Sequence, residues 1–192
     1  MKNTLFLTVM LSLILIFGSV SMVYAQQNTG PAAVIFNHYA ARNFIAGAIP
    51  AADLDLIVQA GIRAPSAVNR QPWYFTVVQN LDLAKKIVPN CVEGNVLIVV
   101  SAQGDGKTNN VQILDCALAV QSIYLCAQAL GYGSRIQTGP IDAVNRDHKA
   151  ALSLPAGHNA IALVRIGKVQ SADAASSASA RKNAAELVKY IK

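Results

Sequence analysis

The stretch Ala64-Pro65-Ser66-Ala67-Val68-Asn69-Arg70-Gln71-Pro72-Trp73 gathers the side chains best suited to binding chemistry. Two prolines restrict its path, because each ring locks its own φ. Ser66, Asn69 and Gln71 place three polar side chains within six residues. A rigid loop of this kind can hydrogen-bond the polar edge of a ligand. The same spacing suits a plain helix-to-strand turn, in which Ser66 and Asn69 serve local backbone groups. No Ser-His-Asp or Cys-His set can be argued from the sequence.

Other chemistry-bearing residues carry less. Gly104-Asp105-Gly106-Lys107-Thr108 follows a predicted strand and precedes a predicted helix, as a phosphate-binding loop would. The G-x-x-x-x-G-K-[ST] pattern needs glycine at position 101, and Ser101 stands there, so an exposed turn is expected. His38, His148 and His158 are widely separated and lack metal-ligand spacing, so no metal is expected. Cys91, Cys116 and Cys126 form no C-x-x-C, and an odd number leaves at least one thiol outside any intrachain disulfide. Cys116 and Cys126 lie in an apolar, helix-like stretch and read as buried free thiols. Trp73 reads as a core anchor.

These residues must be positioned by regular elements. Ala32–Phe44 reads as a first helix ending near Asn43. Asp53–Ala64 reads as a second, with Leu54, Ile57, Val58, Gly61 and Ile62 on one face. Its aspartates favour the positive N-terminus, and Pro65 stops it. Trp73–Val78 is aromatic and β-branched and reads as a strand, and Leu81–Val88 as a short helix. Val96–Val100 is a continuous apolar run, as expected of a central strand covered on both faces. After a loop at Gln103–Asn110, the segment Gln112–Leu130 is long, apolar on nearly every side, and closed by Gly131 and Gly133. Ala160–Ile166 reads as a further strand, Ala172–Ala180 as a loose connector, and Arg181–Ile191 as an amphipathic end.

The first 25 residues read differently. Lys2 is followed by the apolar run Thr4–Val20, and Val23-Tyr24-Ala25 suits a signal-peptidase site. Residues 1–25 are thus expected to be an export signal cut after Ala25, leaving one domain at 26–192 outside the cytoplasm and not inserted in the membrane. A retained anchor is the alternative, the run being at the short end of a bilayer span. Removing Lys2 takes the net charge from +6 to +5. The positive residues are scattered, without a basic run or interleaved aromatics, so nucleic acid is not an expected partner. An anionic ligand such as a phosphate fits this balance better.

Taken in order, the motifs resemble those of the nitroreductase-like FMN flavoproteins. Ala64–Trp73 is similar to the A-P-S-x-x-N-x-Q-P-W signature of that family. Arg42-Asn43-Phe44 resembles the end of its N-terminal R-S-x-R-x-F segment. Asp115 through Leu130-Gly131-Tyr132-Gly133-Ser134 resembles its long central helix and glycine exit. Leu154-Pro155-Ala156-Gly157-His158 with Ala162–Gly167 resembles its late turn and strand. Arg181-Lys182 with Glu186-Leu187-Val188 resembles its basic C-terminal arm. The match runs over nearly all of the chain after residue 25.

The resemblance implies an α+β fold, with a central mixed or antiparallel sheet flanked by helices. It also implies a long buried helix at a homodimer interface where both subunits hold FMN. Pro65, Ser66, Asn69 and Gln71 would contact the cofactor. Arg42 would lie near flavin N1 and O2, where a cation stabilises the charge that reduction brings. Thr138 and Gly139 would face N5, and Arg181 and Lys182 the phosphate. The family's first arginine and its serine fall on His38 and Ala40, and each lost charge-assisted bond is worth about 1.5–3 kcal/mol. His38 could still donate to the phosphate when protonated. The implied activity is FMN-dependent hydride transfer from NAD(P)H to a nitroaromatic, quinone or similar electrophile, with no dedicated catalytic side chain. The rivals are an exported flavin-binding or vestigial protein without NAD(P)H-dependent turnover, and an interaction protein that binds no flavin.

Overall fold

The computed structural model describes residues 32–170 and 182–192. The expected signal segment, the connector Ala172–Ala180 and Arg181 lie outside the described residues. The chain divides into two units, Met1–His38 and Tyr39–Lys192. In the first unit the described residues form one short helix, α1 (Ala33–Asn37), with His38 as its C-cap residue.

The second unit contains α2 (Ala51–Ile62), β1 (Trp73–Val78), α3 (Leu81–Ile87), β2 (Val96–Gln103) and α4 (Asn110–Ala129). It continues with β3 (Gly133–Gln137), α5 (Ile141–Ala143), β4 (His158–Gly167) and α6 (Ala184–Leu187). A π-helical turn, Val144–His148, extends α5. The sheet has the order β1-β2-β4-β3 and every pairing is antiparallel. The expected α+β class holds, with the sheet antiparallel throughout.

β2 explains the architecture. Successive side chains of a strand point to opposite faces. Ile98 and Val100 join Ile57, Ile123 and Val164 beneath α2 and α4. Leu97 and Val99 join Val78, Ile87, Val144 and Leu163 on the opposite face. Both faces are covered, so the strand reads as an uninterrupted apolar run. α2 and α4 approach closely at Gly61, where an added Cβ would lie 2.8 Å from the Ile123 side chain. The Tyr132 hydroxyl donates to Asp53 Oδ2 at 2.5 Å and fixes the start of α2 beside the exit of α4.

α4 has the length and composition of a bilayer-crossing helix, with mean hydropathy 1.3. Its inner face, including Cys116, Val120, Ile123 and Ala127, is buried. Its outer face leaves Val111, Leu114 and Leu118 exposed, and α2 exposes Leu56 and Ile62.

One expectation is corrected, and two further segments gain definition. The first helix stops at Asn37 rather than near Asn43. Beyond it, Gln128 takes the backbone groups of Tyr39 at 3.1 and 2.7 Å, and Ala41 N–H donates to Ser134 O at 3.0 Å. Tertiary bonds have replaced the helical ladder there. Gly133–Gln137, unassigned from sequence, is the edge strand β3. The C-terminal segment is helical only over Ala184–Leu187, capped by reciprocal Asn183–Glu186 bonds.

Arg165 anchors the side of the sheet away from α4. It is 2% exposed, and among the described residues no carboxylate pairs with it. Its guanidinium donates to Asn95 Oδ1 at 2.9 and 2.7 Å and to Asn90 Oδ1 at 2.8 Å, and sits 4.1 Å over the Phe44 ring. Burial lowers its pKa below the ordinary arginine value. Arg165→Met is expected to lower stability by about 2–4 kcal/mol, because Asn90 and Asn95 lose their donors. Arg165→Lys should recover only part, since an ammonium cannot reproduce the fork. Urea unfolding of the three proteins measures this, and an Arg165→Met midpoint equal to wild type would remove Arg165 from the role.

Candidate functional site

The loop singled out by sequence leaves α2 after Ile62 and enters β1 at Trp73. Ser66 is extended, and its Oγ accepts from Gln71 N–H at 3.0 Å, which closes the loop on itself. Asn69 N–H donates to Ser66 O at 3.0 Å, and Gln71 Nε2 donates to Asn69 Oδ1 at 3.2 Å. The local-turn reading therefore describes half of what these groups do. Among the described residues neither the Ser66 hydroxyl nor Asn69 Nδ2 donates a hydrogen bond, and Asn69 is exposed.

The backbone of this loop is strained. Val68, Asn69 and Gln71 have φ of 49°, 56° and 48°. Asparagine tolerates the left-handed region, but a β-branched residue there is an outlier costing on the order of 1–3 kcal/mol. Val68 gains no packing in return, being 91% exposed. Beneath the loop lies Asp115, 3% exposed, on the inner face of α4. Its Oδ1 accepts from Ala67 N–H at 3.0 Å. Its Oδ2 is buried without a hydrogen bond, and Arg70 Nη2 stands 4.0 Å away. Sequence does not single out Asp115 as a contact of this loop, although it is the only charged residue of α4.

A second group of expected residues lies elsewhere. Arg42 is exposed, on a segment held at Ala41 by Ser134 and at Phe44 by Arg165, and Ile45 bridges to Lys168. Thr138 and Gly139 follow β3 and are exposed. Thr138 O is committed to Ile141 N–H at 3.0 Å, and a Cβ added to Gly139 would meet nothing within 4 Å. They border a cleft of 440 Å³, to which Arg135, Gln137 and Asn90 also contribute.

α4 separates the two groups. Asp115 secures the Ser66 loop near one end, and Gln128 secures the Tyr39–Ala41 segment near the other. Thirteen residues at 1.5 Å each place these anchors about 20 Å apart along the helix axis. Pro65, Ser66, Asn69 and Gln71 are thus brought together, and Arg42 stands at the far end. His38 belongs to the first unit, where its N–H donates to Val34 O at 3.1 Å. Lys182 is exposed beside the capping residue of α6.

The remaining candidates have local roles. Asp105 Oδ1 accepts from Lys107 N–H, Thr108 N–H and Thr108 Oγ1 within 3.0 Å, so the glycine-flanked loop turns onto its own carboxylate. Those bonds lower the Asp105 pKa, the Lys107 N–H foremost. All three thiols are free, and burial raises each pKa, that of Cys116 to about 12. His158 Nδ1 lies 3.4 Å from Ser101 Oγ, its ring edge-on to Tyr74.

The sequence pattern of the nitroreductase family matches residues 35–96 and 92–168. A provisionally named NADH dehydrogenase/NAD(P)H nitroreductase of Archaeoglobus fulgidus is 36% identical over 90 residues, covering 43% of this chain and 52% of the relative. A protein of the same name from Methanothermobacter thermautotrophicus is 32% identical over 93 residues, covering 45% of this chain and 49% of the relative. The matched part thus spans about half the length of these curated relatives. A provisionally named nitroreductase from Desulfovibrio desulfuricans, solved in complex with FMN, superposes with TM-score 0.71 at 26% identity, covering 85% of this chain and 98% of that one. A nitroreductase with bound FMN from Bacteroides fragilis superposes at 0.69 with 21% identity, covering 85% and 100%.

The geometry of the loop makes its closing bond testable. Ser66→Ala leaves Gln71 N–H without an acceptor and is expected to cost about 1 kcal/mol. Hydrogen exchange should quicken at Gln71 while β2 and β4 stay protected. Unchanged exchange at Gln71 would mean that the loop holds its shape without this bond.

Proposed function

Because the chain belongs to the nitroreductase family, we propose that it is an FMN-dependent oxidoreductase whose site is built between two copies of the chain. The observation that carries this reading is the separation imposed by α4, with Ser66 and Asn69 near one end and Arg42 near the other. A twofold axis would set the loop of one subunit beside Arg42 of its partner. It would also cover the outward apolar residues Leu114, Leu118 and Leu56, whose exposure is otherwise unexplained. The FMN-bound relatives support the choice of cofactor.

The residues present fit a flavin nucleotide. The uncommitted donors of Ser66 and Asn69 suit its polar edges, and the space around Gly139 allows close backbone approach. When bound, FMN supplies hydride chemistry at its N5. Arg42 would stabilise the negative charge that reduction places near N1 and O2. Thr138 and Gly139 would present backbone N–H groups toward N5. Pro65, Ser66, Asn69 and Gln71 would orient the ring and ribityl chain. Arg181 and Lys182 would hold the phosphate, arginine through its planar fork. The acceptor would be a nitroaromatic, quinone or similar conjugated electrophile, and the donor NAD(P)H.

We further propose that residues 1–25 are an export signal, which would leave the mature protein in the periplasm or outside the cell. NAD(P)H is scarce there, which leaves room for another donor. His38 and Ala40, where the family carries arginine and serine, favour a second reading: an exported flavin-binding protein without NAD(P)H-dependent turnover.

Reconstitution of the purified protein with FMN should give a yellow holoprotein or quench FMN fluorescence, and absence of both would discard the cofactor. Bleaching by NADPH in a stopped-flow instrument separates the enzyme from the binding protein. Arg42→Ala should lower the flavin potential by about 30 mV, which is about 1.4 kcal/mol for a two-electron couple; an unchanged potential would strip Arg42 of its role. Leu114→Arg should sediment as a monomer at micromolar concentration and lose FMN together with the dimer. A monomer that keeps FMN would contradict an intersubunit site.

A further inference from the structure

We infer that Asp115 is a positioning residue that clamps the flavin-facing loop in its left-handed conformation. Three observations meet at this side chain. It is 3% exposed beside the buried residues Cys116, Ala119 and Val120 of α4. Its Oδ1 takes Ala67 N–H at 3.0 Å, and its Oδ2 faces Arg70 Nη2 at 4.0 Å. Ala67 and Arg70 bracket Val68 and Asn69, whose φ values are 49° and 56°. The carboxylate therefore meets both sides of the strained turn, by a hydrogen bond to Ala67 that does most of the holding and by a weak charge contact with Arg70.

The arrangement serves the loop better than it serves the core. A buried carboxylate oxygen without a hydrogen bond is destabilising. Arg70 recovers little of that, because its side chain is 46% exposed and the gap is long. Val68, 91% exposed, contributes no packing that would hold its own backbone in place. Strain of this kind persists where the surroundings over-determine it, and it gathers at functional sites. The clamped conformation leaves the Ser66 hydroxyl and Asn69 Nδ2 without an internal acceptor, in the loop proposed to meet FMN.

For its flavin readout this inference rests on the proposed cofactor. Its backbone readout is independent. The experiment compares wild type, Asp115→Ala, Asp115→Asn, Val68→Gly and the pair Asp115→Ala/Val68→Gly, by amide exchange at Ala67 and by FMN affinity. Asp115→Ala should speed exchange at Ala67 and weaken FMN binding, each by about tenfold, the equivalent of 1.4 kcal/mol. Glycine adopts positive φ without strain. In the Val68→Gly background the same Asp115→Ala change should therefore weaken FMN by no more than about twofold. Asp115→Asn keeps an oxygen for Ala67 and should retain its slow exchange.

A merely structural acid would lower affinity equally with and without Val68→Gly, and that result overturns the clamp. So does an Ala67 amide as protected in Asp115→Ala as in wild type. If Asp115→Ala does not fold, Asp115→Asn carries the affinity comparison in both backgrounds, where loss of the charge toward Arg70 should again matter less with Val68→Gly. If wild type binds no FMN, the cofactor reading has failed, and exchange at Ala67 alone decides the clamp.

Discussion

Helix α4 brings two polar side chains, Asp115 and Gln128, to its buried side, and each secures a connecting segment with no more regular structure than a single 3-10 turn. Asp115 accepts the Ala67 amide. Gln128 takes the amide and carbonyl of Tyr39 and also donates to Ser134 Oγ at 2.9 Å. The rest of that side is Cys116, Ala119, Val120, Ile123 and Ala127, which lock the helix onto the sheet. A packed helix is stiff, so the distance between the two anchors is set by its rise rather than by the loops. Both halves of the proposed site inherit their positions from this one element.

That dependence explains which parts of the fold could be read from residues alone. β2 and β4 were legible because burial on both faces leaves an unmistakable apolar run. The N-caps of α3 and α4 are asparagines whose side chains accept from Leu83 and Gln112, so both starts were marked locally. β3 was not legible. Gly133-Ser134-Arg135-Ile136-Gln137 has neither alternation nor β-branched enrichment, and it pairs only with β4. Its strand conformation comes from its partner. The stretch after Asn37 failed for the related reason that Gln128 and Ser134, almost a hundred residues away in sequence, take its backbone groups. Local propensity has no access to such bonds.

At the site, residue types were visible and conformation was not. Ser66, Asn69 and Gln71 stand out as polar groups between two prolines. Nothing in their identities shows that three of the loop residues adopt positive φ, since valine is among the least suited to do so. The turn and ligand readings looked like alternatives in the sequence. In the structure they are divided among atoms of the same residues: the Ser66 oxygen serves the backbone, while its hydrogen is available elsewhere. Asp115 was in plain view, yet its partner is forty-eight residues distant.

Arg165 and Asp115 share a logic that extends beyond this loop. Each is a buried charged group, and neither has a well-made ion pair with an opposite charge. Each is held chiefly by neutral groups, asparagine oxygens and an aromatic face in one case and a backbone amide in the other. Replacing a buried ion pair whole by apolar groups is often neutral or stabilising, whereas removing Arg165 or Asp115 alone strands the neutral groups that face it. What apolar replacements could not do is reach across to a segment with no packing of its own. Arg165 restrains Phe44, two residues from Arg42, and Asp115 restrains the turn after Ser66. A fold held only by its two apolar cores would leave both segments free to wander, and a ligand would bear the ordering cost on binding. The buried charges move that cost into folding, so each half of the site is set before any ligand arrives.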